Sequence, residues 1–350
     1  MEKNDVSGNR EWKENLGDRI REEIHRSYRK QVDKLEGLEE TRLVITLLGG
    51  GKKGTVVREL TGISYKELPA EEGFTPKTTV YDVRDNIFFA ETPWFGRNIK
   101  DPGKYIEEES DLILWFVGDG EQMTEKIKAF FAERAGRGIC TLALENPGAE
   151  GAAKISFWFE ETPGIRSLVV SADDEDTVRD LHEAIIRCLK KRDKEALYLR
   201  IARHRETAVT RWVMAAAATA FGIAALPLPG SDNLPLTALQ TGLCLRIAYV
   251  FESTLSREEL ATFMTASVTG RAGKKLAALA EEFIQHSGNK LPQSIKNIAI
   301  AGTRGLVAAA ITYGLGMACY TYYKSGVQGK IQDLTGVFSK FAEDYLADIK

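Results

Sequence analysis

The sequence predicts a doubly wound α/β sheet domain followed by an all-α domain, and three observations carry this. Short apolar runs alternate with amphipathic stretches over residues 40–191. After about Glu195 the composition shifts to helical stretches, two of them free of charge. A glycine-rich turn, GGGKKGT at Gly49–Thr55, joins the first apolar run to the first amphipathic stretch.

Residues 1–39 form an amphipathic lead-in. Trp12, Leu16, Ile20, Ile24 and Tyr28 recur at spacings of four among many charges, which predicts a helix over 11–37. From Leu43, LVITLL is a continuous apolar run, as suits a strand covered on both faces. VVRELTG opens a helix. VYDV and NIFFAE are strands separated by an Arg-Asp-Asn turn. DLILWFVGDG is a strand, and TEKIKAFFAERA a helix with Ile127, Phe130 and Phe131 on one side. GICTLALE and RSLVVSA are the remaining strands. DDEDTVRDLHEAIIRCLKK closes the domain as a helix, with Val178, Leu181, Ile185 and Leu189 along one face. Its acidic start and basic end suit the helix dipole. Together these give a mostly parallel sheet over residues 40–191.

Residues 195–350 read as helices. Trp212 to Ser231 and Gly305 to Tyr323 carry no charge. Both reach the roughly 20 residues a membrane span needs. Ala, Gly and Thr dominate them, however, and insert weakly. Pro227, Pro229 and Pro235 break the segment between the apolar stretches, and the mean hydropathy of the chain is −0.23. Two expectations stand side by side: apolar helices buried in a helical domain, or a hairpin in a bilayer flanked by Arg211, Arg304 and Lys324.

At 350 residues, 43% hydrophobic and 28% charged, the chain has the composition of two globular domains. A formal net charge of −3 implies no general attraction to nucleic acid. Cys140, Cys188, Cys244 and Cys319 lie far apart and match no metal spacing, so they read as small buried apolar residues in a reducing compartment. His25, His182, His204 and His286 are equally scattered. The charged start, MEKNDVSGNREWKEN, is not followed by an apolar stretch, and the expected location is cytoplasmic.

The glycine-rich turn is the one chemical motif. A loop between a strand and a helix presents backbone N–H groups and a helix N-terminus to phosphate. The full phosphate-loop pattern, G-x-x-x-x-G-K-[ST], adds a lysine for the β/γ-phosphates and a hydroxyl for Mg²⁺. Two registers are open here. Gly49 and Gly54 frame four residues with Thr55 following, and the lysine expected between Gly54 and Thr55 is missing. Alternatively the helix sets the register: Lys53 is then the phosphate lysine, Gly54 replaces the hydroxyl and Lys52 the second glycine, in a shortened loop. Taken alone, the turn reads equally as a tight connection or as a phosphate cradle.

The order of segments adds more. Residues 40–191 resemble the Era-like branch of bacterial GTPases. The resemblance rests on ITLLGGGKKGTVVRELTG, on TPKTTVYDV at the switch threonine and on IFFAETPWFG where that family has Asp-Thr-Pro-Gly. It continues in SDLILWFVGDG and in LVVSADDEDTVRDLHEAI at the base-side loop and last helix. It implies a P-loop GTPase-like fold with GTP or GDP and Mg²⁺. The implied nucleotide-binding residues are Gly49, Gly50, Gly51, Lys52, Lys53, Gly54, Thr55, Thr78 (or Thr79), Asn146, Ser171 and Ala172. Thr55 and Glu91 would hold the Mg²⁺. Several positions depart from the pattern. Glu91 stands in place of an aspartate, Trp94 in place of the γ-phosphate-sensing glycine, and Asn146-Pro147-Gly148-Ala149 in place of the Asn-Lys-x-Asp base motif.

The second half, with LPLPGSDNLPLTALQTGLCLRIAYVF and AGTRGLVAAAITYGLGMACYTYY, is similar to the hydrophobic helical domain that follows some Era-like G domains. Immunity-related GTPases offer a looser likeness. The combined expectation is a pseudo-GTPase regulatory protein in which GTP binding is weak or lost. Its helical domain would act on a protein partner, for instance another G domain, or on the inner face of a membrane. A slow Mg²⁺-dependent GTPase and a scaffold that takes no nucleotide or other cofactor are the alternatives. No catalytic residue is assigned.

Overall fold

In the computed structural model of the chain, the described residues are 4–49, 52–72, 78–92, 109–117, 125–145, 165–225, 234–270, 273–276, 278, 293–326 and 334–347. The lead-in is the helix α1 (Asn4–Glu39), longer than its apolar spacing alone implies. The apolar run that follows is β1 (Leu43–Gly49), buried along its whole length. It lies inside a seven-stranded sheet, where a strand covered on both faces has no use for polar residues. The structure is an α/β domain accompanied by a helical region.

The remaining strands are β2 (Ala70–Glu72), β3 (Thr79–Arg84), β4 (Ile87–Thr92), β5 (Leu112–Phe116), β6 (Cys140–Glu145) and β7 (Ile165–Val169). Their spatial order is β2-β3-β4-β1-β5-β6-β7. β4, β1, β5, β6 and β7 run parallel. β3 is antiparallel to β4, and β2 antiparallel to β3. The Arg-Asp-Asn turn predicted between β3 and β4 is present, with Asp85 at φ +46°. The Asn86 side-chain amide donates to the carbonyls of Leu38, Glu39 and Thr41 and ties the hairpin to the end of α1. β2 has no counterpart in the sequence reading, because Ala-Glu-Glu shows no apolar alternation. Backbone pairing to Tyr81, Val80 and Thr79 creates it.

Among the described helices of this unit, α2 (Lys53–Thr61) follows β1 directly. α3 (Glu125–Gly136) turns Ile127, Phe130 and Phe131 inward. α4 (Glu175–Lys190) starts at Asp174, whose carboxylate accepts the Asp176 N–H, and buries Val178, Leu181, Ile185 and Leu189. α5 (Glu195–Ile201) belongs to this unit too, although composition grouped it with the helical half. The two compact units are residues 36–205, and residues 1–35 with 206–350.

The amino-terminal edge of the sheet is pinned by Asp111, which is 1% exposed. Its carboxylate takes Arg192 Nε at 3.0 Å and Lys194 Nζ at 2.6 Å on one oxygen, and the Val44 N–H at 3.0 Å on the other. Cys140 and Cys188, 48 residues apart in sequence, meet as a disulfide between β6 and α4. This corrects the reading of all four cysteines as reduced residues, since distance along a chain carries no information about pairing across a sheet.

The second unit contains most of α1 with α6 (Arg205–Ala225), α7 (Leu234–Val250), α8 (Arg257–Thr269), α9 (Gln293–Ser325) and α10 (Leu334–Ala347). α8 opens with a reciprocal capping box between Ser256 and Glu259. α9 carries the second charge-free stretch. A side chain at its Gly316 would come within 2.7 Å of Val213 on α6, so the small residues there serve close helix packing. Gln240 on α7 donates to Thr312 on α9 at 3.0 Å inside this packing. Among the described residues, α6 is the one helix long and apolar enough to cross a membrane, with 33% of its apolar window buried.

Gly49 ends β1 at φ +97°, and a Cβ there would lie 2.2 Å from the Phe116 carbonyl oxygen of β5. Gly49→Ala is expected to lower unfolding free energy by about 1–3 kcal/mol through backbone strain and collision. Urea denaturation measures this, and an unchanged midpoint would contradict it.

Candidate functional site

In a wound parallel sheet the crevice for ligands lies beyond the carboxyl ends of the strands, where the winding direction reverses. That reversal occurs at β1, which has β4 on one side and β5 on the other. Gly49, Glu91 and Ser171–Ala172 all lie at or just past the carboxyl ends of strands. Chain connectivity alone therefore gathers these expected site residues along one edge of the sheet.

The first residue of α2 is Lys53, the residue that the second register of the glycine-rich turn takes as the phosphate lysine. Lys53 is only 7% exposed. Its ammonium is 2.9 Å from Glu91 Oε1 and donates weakly, at 3.5 Å, to the carbonyl of Thr92. Lys66 Nζ approaches the same Oε1 at 3.7 Å from an exposed position. On the other oxygen, Tyr81 donates to Glu91 Oε2 at 3.4 Å. Tyr65 is fully buried with its ring edge-on to Tyr81, at a centroid distance of 5.0 Å. Its hydroxyl faces the Glu91 carboxylate but makes no hydrogen bond of good geometry among the described residues.

The electrostatics follow from this packing. Burial alone would raise the Glu91 pKa. The Lys53 hydrogen bond and charge, then the Lys66 charge, outweigh it and hold the carboxyl below its ordinary value of 4.5. Burial first, and the Glu91 charge second, push the Tyr65 and Tyr81 phenols up. All three groups therefore keep their ordinary neutral-pH forms, a carboxylate and two phenols.

The other expected residues are placed as follows. Lys52 is exposed and precedes α2 without capping it through its side chain. Gly54 and Thr55 are half-buried in the first turn of α2. A Cβ on Gly54 would meet nothing within 4 Å, so packing does not forbid a hydroxyl residue there. Thr78 is buried beside β3, and Thr79 pairs across the sheet with Glu91. At the base-side loop, the Ser171 N–H is bonded to Thr177 Oγ1 at 3.1 Å, and that hydroxyl donates back to the Ser171 carbonyl. Gly50, Gly51, Trp94 and Asn146–Ala149 lie outside the described residues. Among the described residues no three His, Cys, Asp or Glu side chains gather as a metal site. A Mg²⁺ ion on Glu91 would lie beside the Lys53 ammonium, which holds the neighbouring carboxylate oxygen, and the two like charges would repel, so the donor set does not suit the ion.

Sequence reasoning did not reach Tyr65, Lys66 and Tyr81. ISYKEL has no apolar period, and Tyr81 looks like an ordinary strand residue. The available signal was the odd carboxylate at the end of an apolar strand, which needed cationic neighbours from somewhere. No protein-family model and no curated protein matches the chain.

Removing one partner of a buried ion pair strands the other charge. Lys53→Met is expected to cost about 3 kcal/mol, and adding Glu91→Leu to recover most of that. Urea denaturation of the two single variants and the double variant checks this; additive losses would contradict it. Because the folded pKa of Glu91 is depressed, its contribution to stability is complete above pH 4.5 and is lost as pH falls through the lower folded value. In melting curves against pH, Glu91→Gln should flatten this acid limb, and an identical limb would count against the assignment.

Proposed function

We propose that the chain is a GTPase-like regulatory protein that has given up efficient nucleotide turnover. The observation that carries this reading is the Lys53–Glu91 pair, in which the lysine expected to meet a phosphate already holds a carboxylate at 2.9 Å. A lysine neutralises β/γ-phosphate charge only if it is free to do so. The absence of a hydroxyl at Gly54, and the poor fit of Mg²⁺ to Glu91, remove the partner charge that phosphoryl transfer needs.

The fold supports the same descent. A wound parallel sheet with one antiparallel hairpin strand beside β4, and a glycine turn from the central strand into a helix, is the arrangement expected of a G domain. On this reading the α/β unit offers a surface to a protein partner, with another G domain the simplest candidate. The helical unit engages that partner or a membrane. The exposed Met214 and Phe221 on α6 favour such a contact.

Calorimetric titration and thermal melting with GTP, GDP and ATP, each with and without Mg²⁺, test the reading. Nucleotide at a hundredfold excess over Kd would stabilise the protein by about 2.7 kcal/mol. At millimolar nucleotide the expected result is no saturable heat and no such shift. Mg²⁺-dependent phosphate release that Lys53→Ala abolishes would overturn it in favour of a slow GTPase.

A further inference from the structure

The cluster around Glu91 contains more donors than its one carboxylate uses. Charge ratio alone does not make this unusual, because Asp111 also faces two cations. At Asp111, though, every group has a second partner: Lys194 also donates to the Arg42 carbonyl at 2.6 Å, Arg192 to the Arg137 carbonyl at 3.4 Å, and the spare carboxylate oxygen takes Val44 N–H. That network is closed. Around Glu91 it is open. Tyr65, with no exposed surface, holds its hydroxyl towards the carboxylate without a hydrogen bond of good geometry among the described residues. Lys66 stands off at 3.7 Å and Tyr81 at 3.4 Å. A buried donor left unused costs free energy unless something else takes it.

From this we infer that Glu91 is a built-in anion plugging an oxyanion site, whose donors are Lys53, Lys66, Tyr65 and Tyr81. The ligand class is a phosphate-type oxyanion, with more acceptor oxygens and more charge than one carboxylate. The plug and the ligand are mutually exclusive at Lys53, because two anions there would repel. Tyr65 and Lys66 come from the 3₁₀ turn Tyr65–Glu67, which follows α2, so they are ligands that the glycine-rich turn itself does not supply. The inference rests on the proposed loss of nucleotide use, and adds that the loss is enforced by one side chain.

The test is calorimetric titration with inorganic pyrophosphate, with far-UV circular dichroism confirming the fold of each variant. Wild-type protein should show no saturable binding. Glu91→Gln keeps the shape and removes the charge, and should bind at least about tenfold more tightly. Glu91→Asp retracts the carboxylate by one methylene, should give a smaller gain in the same direction, and decides the matter if the amide variant does not fold. Adding Lys66→Met or Tyr65→Phe to Glu91→Gln should remove part of the gain, and Lys53→Met all of it. Folded Glu91 variants that bind pyrophosphate no better than wild type would overturn the inference, as would a gain indifferent to Lys53. GDP as a second titrant separates the sources. Tighter binding of GDP than of pyrophosphate to Glu91→Gln supports a plugged nucleotide site. Equal binding supports the oxyanion site while counting against the GTPase-like reading.

Discussion

The interaction on which the carboxyl edge of the sheet depends is the buried contact between Lys53 and Glu91. The two residues reach each other for separate reasons. Lys53 opens α2 because β1 ends at Gly49, where only glycine tolerates both the backbone angle and the closeness of Phe116. Glu91 arrives because β4 pairs with β1 in a register that sets it opposite Leu47. Once they meet in a poorly solvated place, each makes the other tolerable, and neither is free for another task. Tyr65, Tyr81 and Lys66 then arrange themselves around the resulting pair.

Two charge clusters sit at opposite edges of the sheet, Asp111 before the start of β5 and Glu91 near the end of β4, and they are bonded differently. Asp111 fastens the segment after α4 to the beginnings of β1 and β5, and its two carboxylate oxygens take hydrogen bonds from Val44, Arg192 and Lys194. This is what a structural ion cluster looks like when geometry has been completed. Glu91 is held less fully, by a short bond to Lys53 and longer approaches from the rest. The contrast separates the two clusters more clearly than residue identity does, since both consist of one acid between two cations.

Much of the α/β unit was legible in the chain. LVITLL, NIFFAE and LILWF are apolar because their strands are covered, and the asymmetric charge of DDEDTVRDLHEAIIRCLKK marks both ends of α4. β2 was not legible, because a three-residue edge strand rests on backbone pairing and asks little of its side chains. Nor was the membership of Glu195–Ile201, whose apolar content resembles that of the helices after it. At the site, Lys53 and Glu91 could be named from their places in a motif. That they bind each other could not, since it depends on the β1–β4 register, and Tyr65 and Lys66 lie in a stretch with no periodic signal. The disulfide partner of Cys140 was hidden for the same reason: contacts across a sheet leave no mark in sequence spacing.

Occupation of the lysine is the central claim, and it has a direct spectroscopic readout. The side-chain ¹⁵N resonance of Lys53, assigned by comparison with Lys53→Arg, reports on the group that holds its ammonium. With Mg²⁺ and GTP added to several millimolar, the expected Lys53 signal stays where it is in the free protein. A saturable displacement of that signal, with Glu91 intact, would show that the lysine exchanges its carboxylate for a phosphate and would contradict the account.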